Sequence, residues 1–305
     1  MKIDFLVNEV SGGWEPTDVR LGGTERGVVE WANELSDRGH EVRVYRNSKT
    51  GYHMVVGEVS YNDRDDYDGS GDITINVKSP EVGVAGPTIF YTNDVDADKQ
   101  DLSHYGSVIH ISNWAKDNIP VNNENVFVVP HGYNDKVIYP TVKYPQTCLY
   151  SSSPDRGLET LLKSWPKVKR ECPDATLIVT YGAEGAEYPG IEYLGEISEE
   201  EMDELYRTSD IWCHPANGGE LQCIAGLKAQ AAGCWPVVIP TMALQETIHY
   251  GTFATEDNYA DKLVEALKGH PEQSYKGVSI EESTDKLLEV IQFTLDGYTS
   301  RKPTN

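Results

Sequence analysis

Long apolar runs are missing from this 305-residue chain: none approaches the roughly eighteen residues a membrane-spanning helix needs. The opening, MKIDFLVNEV, has one lysine before a short β-branched and aromatic run. It lacks a long apolar core and a small-residue cleavage site, so it reads as a first strand and not as a signal peptide. Cysteine is scarce. Cys148, Cys172, Cys213, Cys223 and Cys234 are an odd number without paired spacing, which indicates neither a disulfide framework nor a zinc site and fits a reducing cytoplasm. Positive charge is short as well, with 26 bases against 49 acids and a formal net charge of −23. A field of that sign repels nucleic acid and anionic membrane surfaces unless a local basic patch overrides it, and the sequence holds no such patch. Acidity of this size also fits a salty habitat or simple solubility. No G-x-G-x-x-G follows the first strand, which removes the dinucleotide-binding reading, and there is no internal repeat. The acidic run Asn62–Asp72, NDRDDYDGSGD, fails the calcium-loop spacing, because counting back from Gly69 puts Arg64 at the first ligand position. It reads as a solvated loop.

What is present is a globular composition, 39% hydrophobic and 25% charged, long enough for two domains with separate cores. Ile3–Val7 reads as a strand. A helix follows at Thr24–Arg38, with Val28, Trp31, Ala32 and Leu35 on one face and Gly39 as its stop. Further strand signals lie at Glu41–Tyr45, Ile73–Val77, Thr88–Tyr91, Val108–Ile111 and Val126–Val129, with a helix signal at Asn113–Asn118. Strands separated by helices at this spacing predict a parallel sheet covered on both faces. The turn-rich stretch His131–Gln146 then interrupts the pattern, and the domain boundary is expected at its end. The alternation resumes with strands at Cys148–Ser151, Thr176–Thr180, Ile211–His214 and Pro236–Ile239, and helices at Gly157–Glu171 and Glu199–Thr208. The expected organisation is an N-terminal α/β domain over 1–146, a second α/β domain over 147–282, and a terminal helix over 283–305 packing back across the boundary.

The segment Pro215–Val238, PANGGELQCIAGLKAQAAGCWPVV, carries the chemistry. Glu220 sits in a glycine-bearing loop before an alanine-rich helix that Gly233 stops. A loop opening on a helix N-terminus can hold hydroxyls with its carboxylate and a diphosphate with free backbone amides. Three stretches in order, LGGTERGVVEWANELSDRGHEVRVY from Leu21, LYSSSPDRGLETLLKSWPKVKRECPDATLIVTYG from Leu149, and SDIWCHPANGGELQCIAGLKAQAAGCWPVV from Ser209 continuing to ALQETIHYG, resemble family 4 glycosyltransferases of the GT-B architecture. The resemblance implies an α/β fold of two facing doubly wound Rossmann-like domains. It also implies a nucleoside-diphosphate sugar donor, UDP- or GDP-linked, held mainly by the C-terminal domain, with a hydroxyl acceptor of carbohydrate type on the N-terminal one.

The family motif maps onto single positions. Arg156 matches the basic residue before the glycine and would clamp the diphosphate, whose developing charge a metal-free enzyme stabilises with cations and amides. Where the family has a second basic residue this chain has Ser151–Ser153, so Ser152 and its neighbours would stand in with hydroxyls and amides. Gly22 and Gly23 match the N-terminal glycine loop that lets backbone approach the donor. Glu220 matches the first acid of the Glu-x7-Glu motif, contacting sugar hydroxyls, and Gln222, Cys223 and Ile224 would present their amides. At the second acid, which holds ribose hydroxyls in the family, stands Lys228, a donor that cannot accept. Glu246 either matches a family feature or orders its loop. Asn93 and Asp94 occupy the place of the family's histidine, and Asp94 is a candidate general base. Asp94–Asp98 (DVDAD) also offers the Asp-x-Asp pattern of metal-dependent glycosyltransferases, a reading that two complete α/β halves and Arg156 oppose. His131, Trp114 and Tyr133 read as packing aromatics before anything catalytic.

Three functions compete on these residues. The first is a metal-independent, retaining glycosyltransferase without a cofactor, the donor being its substrate. The second is a non-catalytic sugar-nucleotide or glycan-binding protein, motivated by Lys228 and the missing basic residue. The third is an enzyme of the same architecture that isomerises or hydrolyses its nucleotide sugar.

Overall fold

The computed structural model describes residues 1–8, 13–19, 21–81, 83–181 and 188–301. Parts of the loop before the first helix (9–12 and 20), Gly182 of the second matched stretch, and the tail 302–305 lie outside the described residues. The chain divides into two compact units, Met1–His131 with Val278–Asn305, and Gly132–Gly277. The division falls at the start of the turn-rich stretch, not at its end.

In the first unit, β1 (Lys2–Val7) leads to α1 (Gly23–Asp37), whose Val28, Trp31, Ala32 and Leu35 are all fully buried, as their spacing requires. Gly39 ends the helix in the left-handed region at φ +82°, its amide donating to the Ser36 carbonyl. Then come β2 (Glu41–Arg46), a hairpin of β3 (Met54–Val56) and β4 (Val59–Asp63), β5 (Ile73–Val77), β6 (Thr88–Thr92), β7 (Ser107–His110), the short α2 (Asn113–Asn118) and β8 (Val126–Val128). The sheet order is β3-β4-β2-β1-β5-β6-β7-β8, parallel except for the hairpin. β5 and β6 are buried at every position, the signature of a parallel sheet covered on both sides. The acidic run is a loop only in part: Asn62 and Asp63 close β4 and Arg64–Asp66 make a 3-10 turn, and the remainder is fastened by Arg43, whose guanidinium pairs with both Asp68 and the fully buried Asp4.

The second unit holds β9 (Tyr144–Tyr150), α3 (Leu158–Glu171), β10 (Thr176–Thr180), β11 (Ile191–Gly195), α4 (Glu199–Thr208), β12 (Ser209–His214), α5 (Ile224–Ala231), β13 (Trp235–Val238), α6 (Leu244–Thr247), β14 (Thr252–Phe253) and α7 (Tyr259–Lys268). α3 runs through Pro166 as one helix. α4 starts with a reciprocal Ser198–Glu201 capping box. The sheet is all parallel in the order β11-β10-β9-β12-β13-β14. In chain order that is 3-2-1-4-5-6, the doubly wound arrangement, and it reverses direction between β9 and β12.

The last helix, α8 (Ile280–Arg301), belongs to the first unit. The Trp31 indole donates to Ser283 Oγ at 2.8 Å, Ser283 donates to the Pro130 carbonyl at 2.6 Å, and Thr294 meets Ser107 at 2.8 Å. Among the described residues no helix is long and apolar enough to cross a membrane.

Candidate active site

In a doubly wound sheet the ligand crevice lies outside the carboxyl ends of the strands where the order reverses, since the two loops there diverge to opposite faces. In the second unit those loops follow β9 and β12, and they carry Arg156 and Glu220. Glycine brings the loops together. Gly157 has φ +98°, and a Cβ there would lie 1.9 Å from the Pro215 carbonyl oxygen; Gly219 has φ +76°, and a Cβ there would strike the Arg156 guanidinium. Arg156 Nη1 consequently donates to the Gly218 carbonyl at 2.9 Å and sits 3.6 Å from Glu220 Oε1. Glu220 also receives His214 Nε2 at 3.2 Å. Burial pushes the Glu220 carboxyl up, but the His214 hydrogen bond, the charges of His214 and Arg156, and the Cys223 contact outweigh it and hold the group below its ordinary value. The result is a mostly buried, ionised carboxylate beside a partly exposed guanidinium. Such a pair can accept from hydroxyls and bind an anion side by side.

α5 begins at the same place. Its N-cap, Cys223, is left-handed at φ +74°, ψ +78°, and no side chain of that residue caps the helix. Ile224 opens the helix, while Gln222 is buried with its carbonyl accepting from the Thr247 hydroxyl. Ser152 is half-buried at the end of β9. Ser151 is consumed internally, accepting from the Trp212 indole at 2.9 Å and meeting the Tyr206 hydroxyl at 2.8 Å.

Lys228 lies on the side of α5 that faces α4. Its buried ammonium pairs with Glu199 and lies 3.6 Å from Asp203. Burial pushes the Asp203 carboxyl up, with Lys228 opposing. The position expected to lose an acid therefore draws two acids from the neighbouring helix. Glu246 is exposed on α6.

The first unit has its own reversal point, between β1 and β5. Gly22 is the N-cap of α1; a Cβ on it would meet the Glu25 carboxylate, whereas one on Gly23 would meet nothing within 4 Å. Glu25 is buried and paired with Lys78, which leaves β5 with a left-handed φ of +73°. Asn93 Nδ2 donates to Thr24 Oγ1 at 2.6 Å, tying the end of β6 to the start of α1. Asp94 is exposed and accepts from the Asp96 amide at 3.2 Å, and Asp96 pairs with Lys99. Among the described residues the one group of three candidate metal ligands is not this aspartate run but His214, Glu220 and Cys223. His131 is buried against Trp31, with ring centroids 4.4 Å apart, and bonds the Tyr91 hydroxyl; burial lowers its pKa to about 3. Tyr133 packs on Tyr275. A cavity of about 510 Å³, lined by Thr88, His104, Asn125, Phe293, Thr294 and Tyr298, opens at the amino ends of β6 and β7. It lies at the opposite end of the strands from the carboxyl ends that form the reversal-point crevice.

Sequence reading missed His214, Glu25 and Lys78. His214 had a usable signal: it closes an apolar strand immediately before the Glu220 loop. The Glu25–Lys78 pair joins residues 53 apart in sequence and had none.

Residues 146–269 match the family model described as glycosyl transferases group 1. A phosphatidyl-myo-inositol mannosyltransferase of Mycobacterium tuberculosis is 26% identical over 106 residues, 32% of this chain and 28% of the relative. One from Propionibacterium freudenreichii is 33% identical over 85 residues, 28% and 22%. The matched region thus spans under a third of the length of these relatives. Among solved structures, sucrose-phosphate synthase from Thermosynechococcus elongatus superposes with a TM-score of 0.67 at 12% identity, covering 98% of this chain and 94% of that one. WaaG, a glycosyltransferase of lipopolysaccharide biosynthesis, gives 0.65 at 12%, covering 99% and 96%. Anabaena HepE in complex with UDP and glucose gives 0.61 at 13%, covering 98% of each.

Proposed function

We infer the activity from one premise: the chain belongs to the group 1 glycosyltransferases, of family 4 type, and its two parallel-sheet domains have the GT-B architecture. It transfers a sugar from a nucleoside-diphosphate sugar to a hydroxyl acceptor, with retention and without a metal in the reaction. The observation that carries this reading is the Arg156–Glu220 pair, 3.6 Å apart at the sheet's reversal point. Arg156 and the first-turn amides of α5 at Ile224 take the diphosphate, and the guanidinium stabilises the charge that grows on it as the sugar–phosphate bond breaks. Glu220, kept ionised, accepts from the sugar hydroxyls and so orients the ring. Gln222 and Cys223 shape the loop that delivers these amides, with Ser152 as a neutral donor opposite. Glu199, steered by Lys228, supplies the acceptor for ribose hydroxyls that Lys228 itself cannot be. Within the first unit, Gly22 and Gly23 leave the start of α1 open to backbone approach, and Asp94 is the candidate base for the acceptor's proton.

The complex of HepE with UDP and glucose and the mannosyltransferase relatives set the choice of donors to try. Chelator-treated protein is incubated with UDP- and GDP-linked hexoses, and nucleotide release is followed with and without hydroxyl acceptors. Release that depends on the acceptor and survives EDTA supports transfer without metal, and the anomeric configuration of the product decides retention. Loss of turnover in EDTA defeats the metal-free mechanism. Thermal stabilisation by a donor without any release favours the binding-protein alternative, whose motive is the Lys228–Glu199 pairing where the family has an acid.

A further inference from the structure

Cysteine spacing alone indicates no metal site, yet the fold assembles a three-ligand group. His214 Nε2, Glu220 Oε1 and Cys223 Sγ offer nitrogen, oxygen and sulfur within 4.8 Å of one another. Nε2 lies 3.2 Å from the carboxylate and 3.9 Å from the sulfur. Ligands placed about 2.0–2.3 Å from one tetrahedral ion are roughly 3.3–3.6 Å apart, so only the sulfur has to move inward, by roughly 1 Å. The group is built rather than gathered on a surface. His214 is 1% exposed, and its ring is fixed by stacking on Trp212 with centroids 4.8 Å apart and planes 17° from parallel. Cys223 is held in a left-handed conformation uncommon for a residue with a side chain, and this turns its thiol toward the histidine. The remaining cysteines are buried elsewhere in the unit's core.

We propose that His214, Glu220 and Cys223 bind a divalent ion of the zinc class, and that the bound ion closes the sugar side of the donor crevice. The first half stands on the geometry alone; the second rests on the donor reading of Glu220 given above. On binding, the Cys223 thiol gives its proton to solvent, Glu220 ligates as the carboxylate it already is, and the His214 ring releases its Nε2 proton to solvent, keeping the one on Nδ1, so that Nε2 can ligate. Two negative ligands neutralise the ion's two charges. Two features keep the binding reversible. His214 Nδ1 has no hydrogen-bond partner to support the ligating ring, and Arg156 lies 3.6 Å from the ligating carboxylate. A fourth position is left for water. Glu220 cannot serve both partners, so the ion acts as an inhibitor and not as a cofactor.

Cobalt(II) is the probe, because thiolate ligation gives it a charge-transfer absorption in the near ultraviolet. Titration of the chelator-treated full chain is expected to produce this band, saturating at one ion per chain and displaced by zinc. Cys223→Ser, a change of one atom, removes the band, and His214→Ala weakens cobalt binding by about tenfold or more; circular dichroism reports whether each variant is folded. Absence of the band in the unaltered chain overturns the site, as does a band that persists in Cys223→Ser. For the second half, saturating zinc is expected to lower the affinity for UDP- or GDP-hexose by about tenfold or more, with recovery in EDTA. Unchanged donor affinity in zinc overturns the inhibition and leaves the ion site standing. A chain that binds cobalt but none of the donors defeats the glycosyltransferase reading together with the inhibition, while the absorbance result remains.

Discussion

Arg156 and Glu220 make the sharpest residue-scale claim, because each is held by a contact that a substitution would remove without touching the core. Arg156→Ala takes away the cation on the leaving diphosphate and is expected to cut turnover by about 10²–10³-fold. Glu220→Gln keeps shape and loses an acceptor, and a loss of about 10–100-fold, mainly in kcat/KM, is expected. Near-normal steady-state rates in both would remove the site from the crevice. Lys228 makes a structural claim instead. Reverting it to glutamate looks from the sequence like a repair, but the new carboxylate would face Glu199 and Asp203 in place of the ammonium that now neutralises them. Urea denaturation of Lys228→Glu is expected to show a loss of about 3 kcal/mol or more, the usual cost of breaking a buried ion pair; a variant as stable as the parent would mean the three side chains can separate into solvent. The role of Lys228 was out of reach of the sequence for a plain reason. Its partners lie on α4, and the packing of α4 on α5 depends on the sheet order, which no local pattern encodes.

At the scale of elements, legibility followed burial. β1, β5, β6 and β10, apolar runs in the middle of parallel sheets, were readable to within a residue, and so was α1, whose four buried side chains repeat at helical spacing. Of the short edge elements β8 was readable from its apolar run, whereas β3, β11 and β14, each with one neighbour and few residues, were not. α7 was missed although its Leu263, Val264 and Leu267 are buried at helical spacing; unlike α4, which has the same length and opens on a capping box, it has no side-chain cap to mark its start. One element contact is sensitive to pH. His270 Nε2 meets Asp210 Oδ1 at 3.1 Å and its ring stacks on Trp235 with centroids 5.0 Å apart. The Asp210 hydrogen bond raises the His270 pKa against the opposing effect of burial. Burial pushes Asp210 up, but the His270 bond, the Gln146 amide and the charges of His270 and Lys143 bring it below its ordinary value. A raised histidine contributes stability that is complete below its ordinary value of 6.5 and is lost as pH rises through the folded value; a lowered aspartate contributes above its ordinary 3.8 and loses it as pH falls through the folded value. The pair is therefore strongest between those two ordinary values. Trp235 fluorescence and the thermal midpoint should both shift as pH rises above 6.5 in the parent and change much less in His270→Asn; equal profiles would show that the contact does not titrate.

At the scale of the molecule, the two units differ in how the chain makes them. The second is continuous from Gly132 to Gly277, whereas the first is closed only when α8 returns. Sequence patterning found this helix and its start within three residues, but an amphipathic pattern states that a face is buried and not which core it completes. Ile280, Leu287, Val290 and Ile291 are all at most 5% exposed, and Ser283 bonds both the Trp31 indole and the Pro130 carbonyl. Burying four such side chains contributes on the order of 6–12 kcal/mol, before the cost of ordering the helix and the further loss of exposing the fully buried Trp31 beneath it. Domains of this size are stable by only about 5–15 kcal/mol. A chain ending at Gly277 should therefore lose the fold of residues 1–131 while keeping that of 132–277. Calorimetry on this truncation is expected to show one cooperative transition where the parent shows the heat of both units. Hydrogen exchange should keep its slow amides in β9, β10, β12 and β13 and lose them in β1, β5 and β6. Slow exchange retained in β1 and β5 would mean that the first unit's sheet and α1 are stable without their last helix, and that α8 covers a core already able to stand alone.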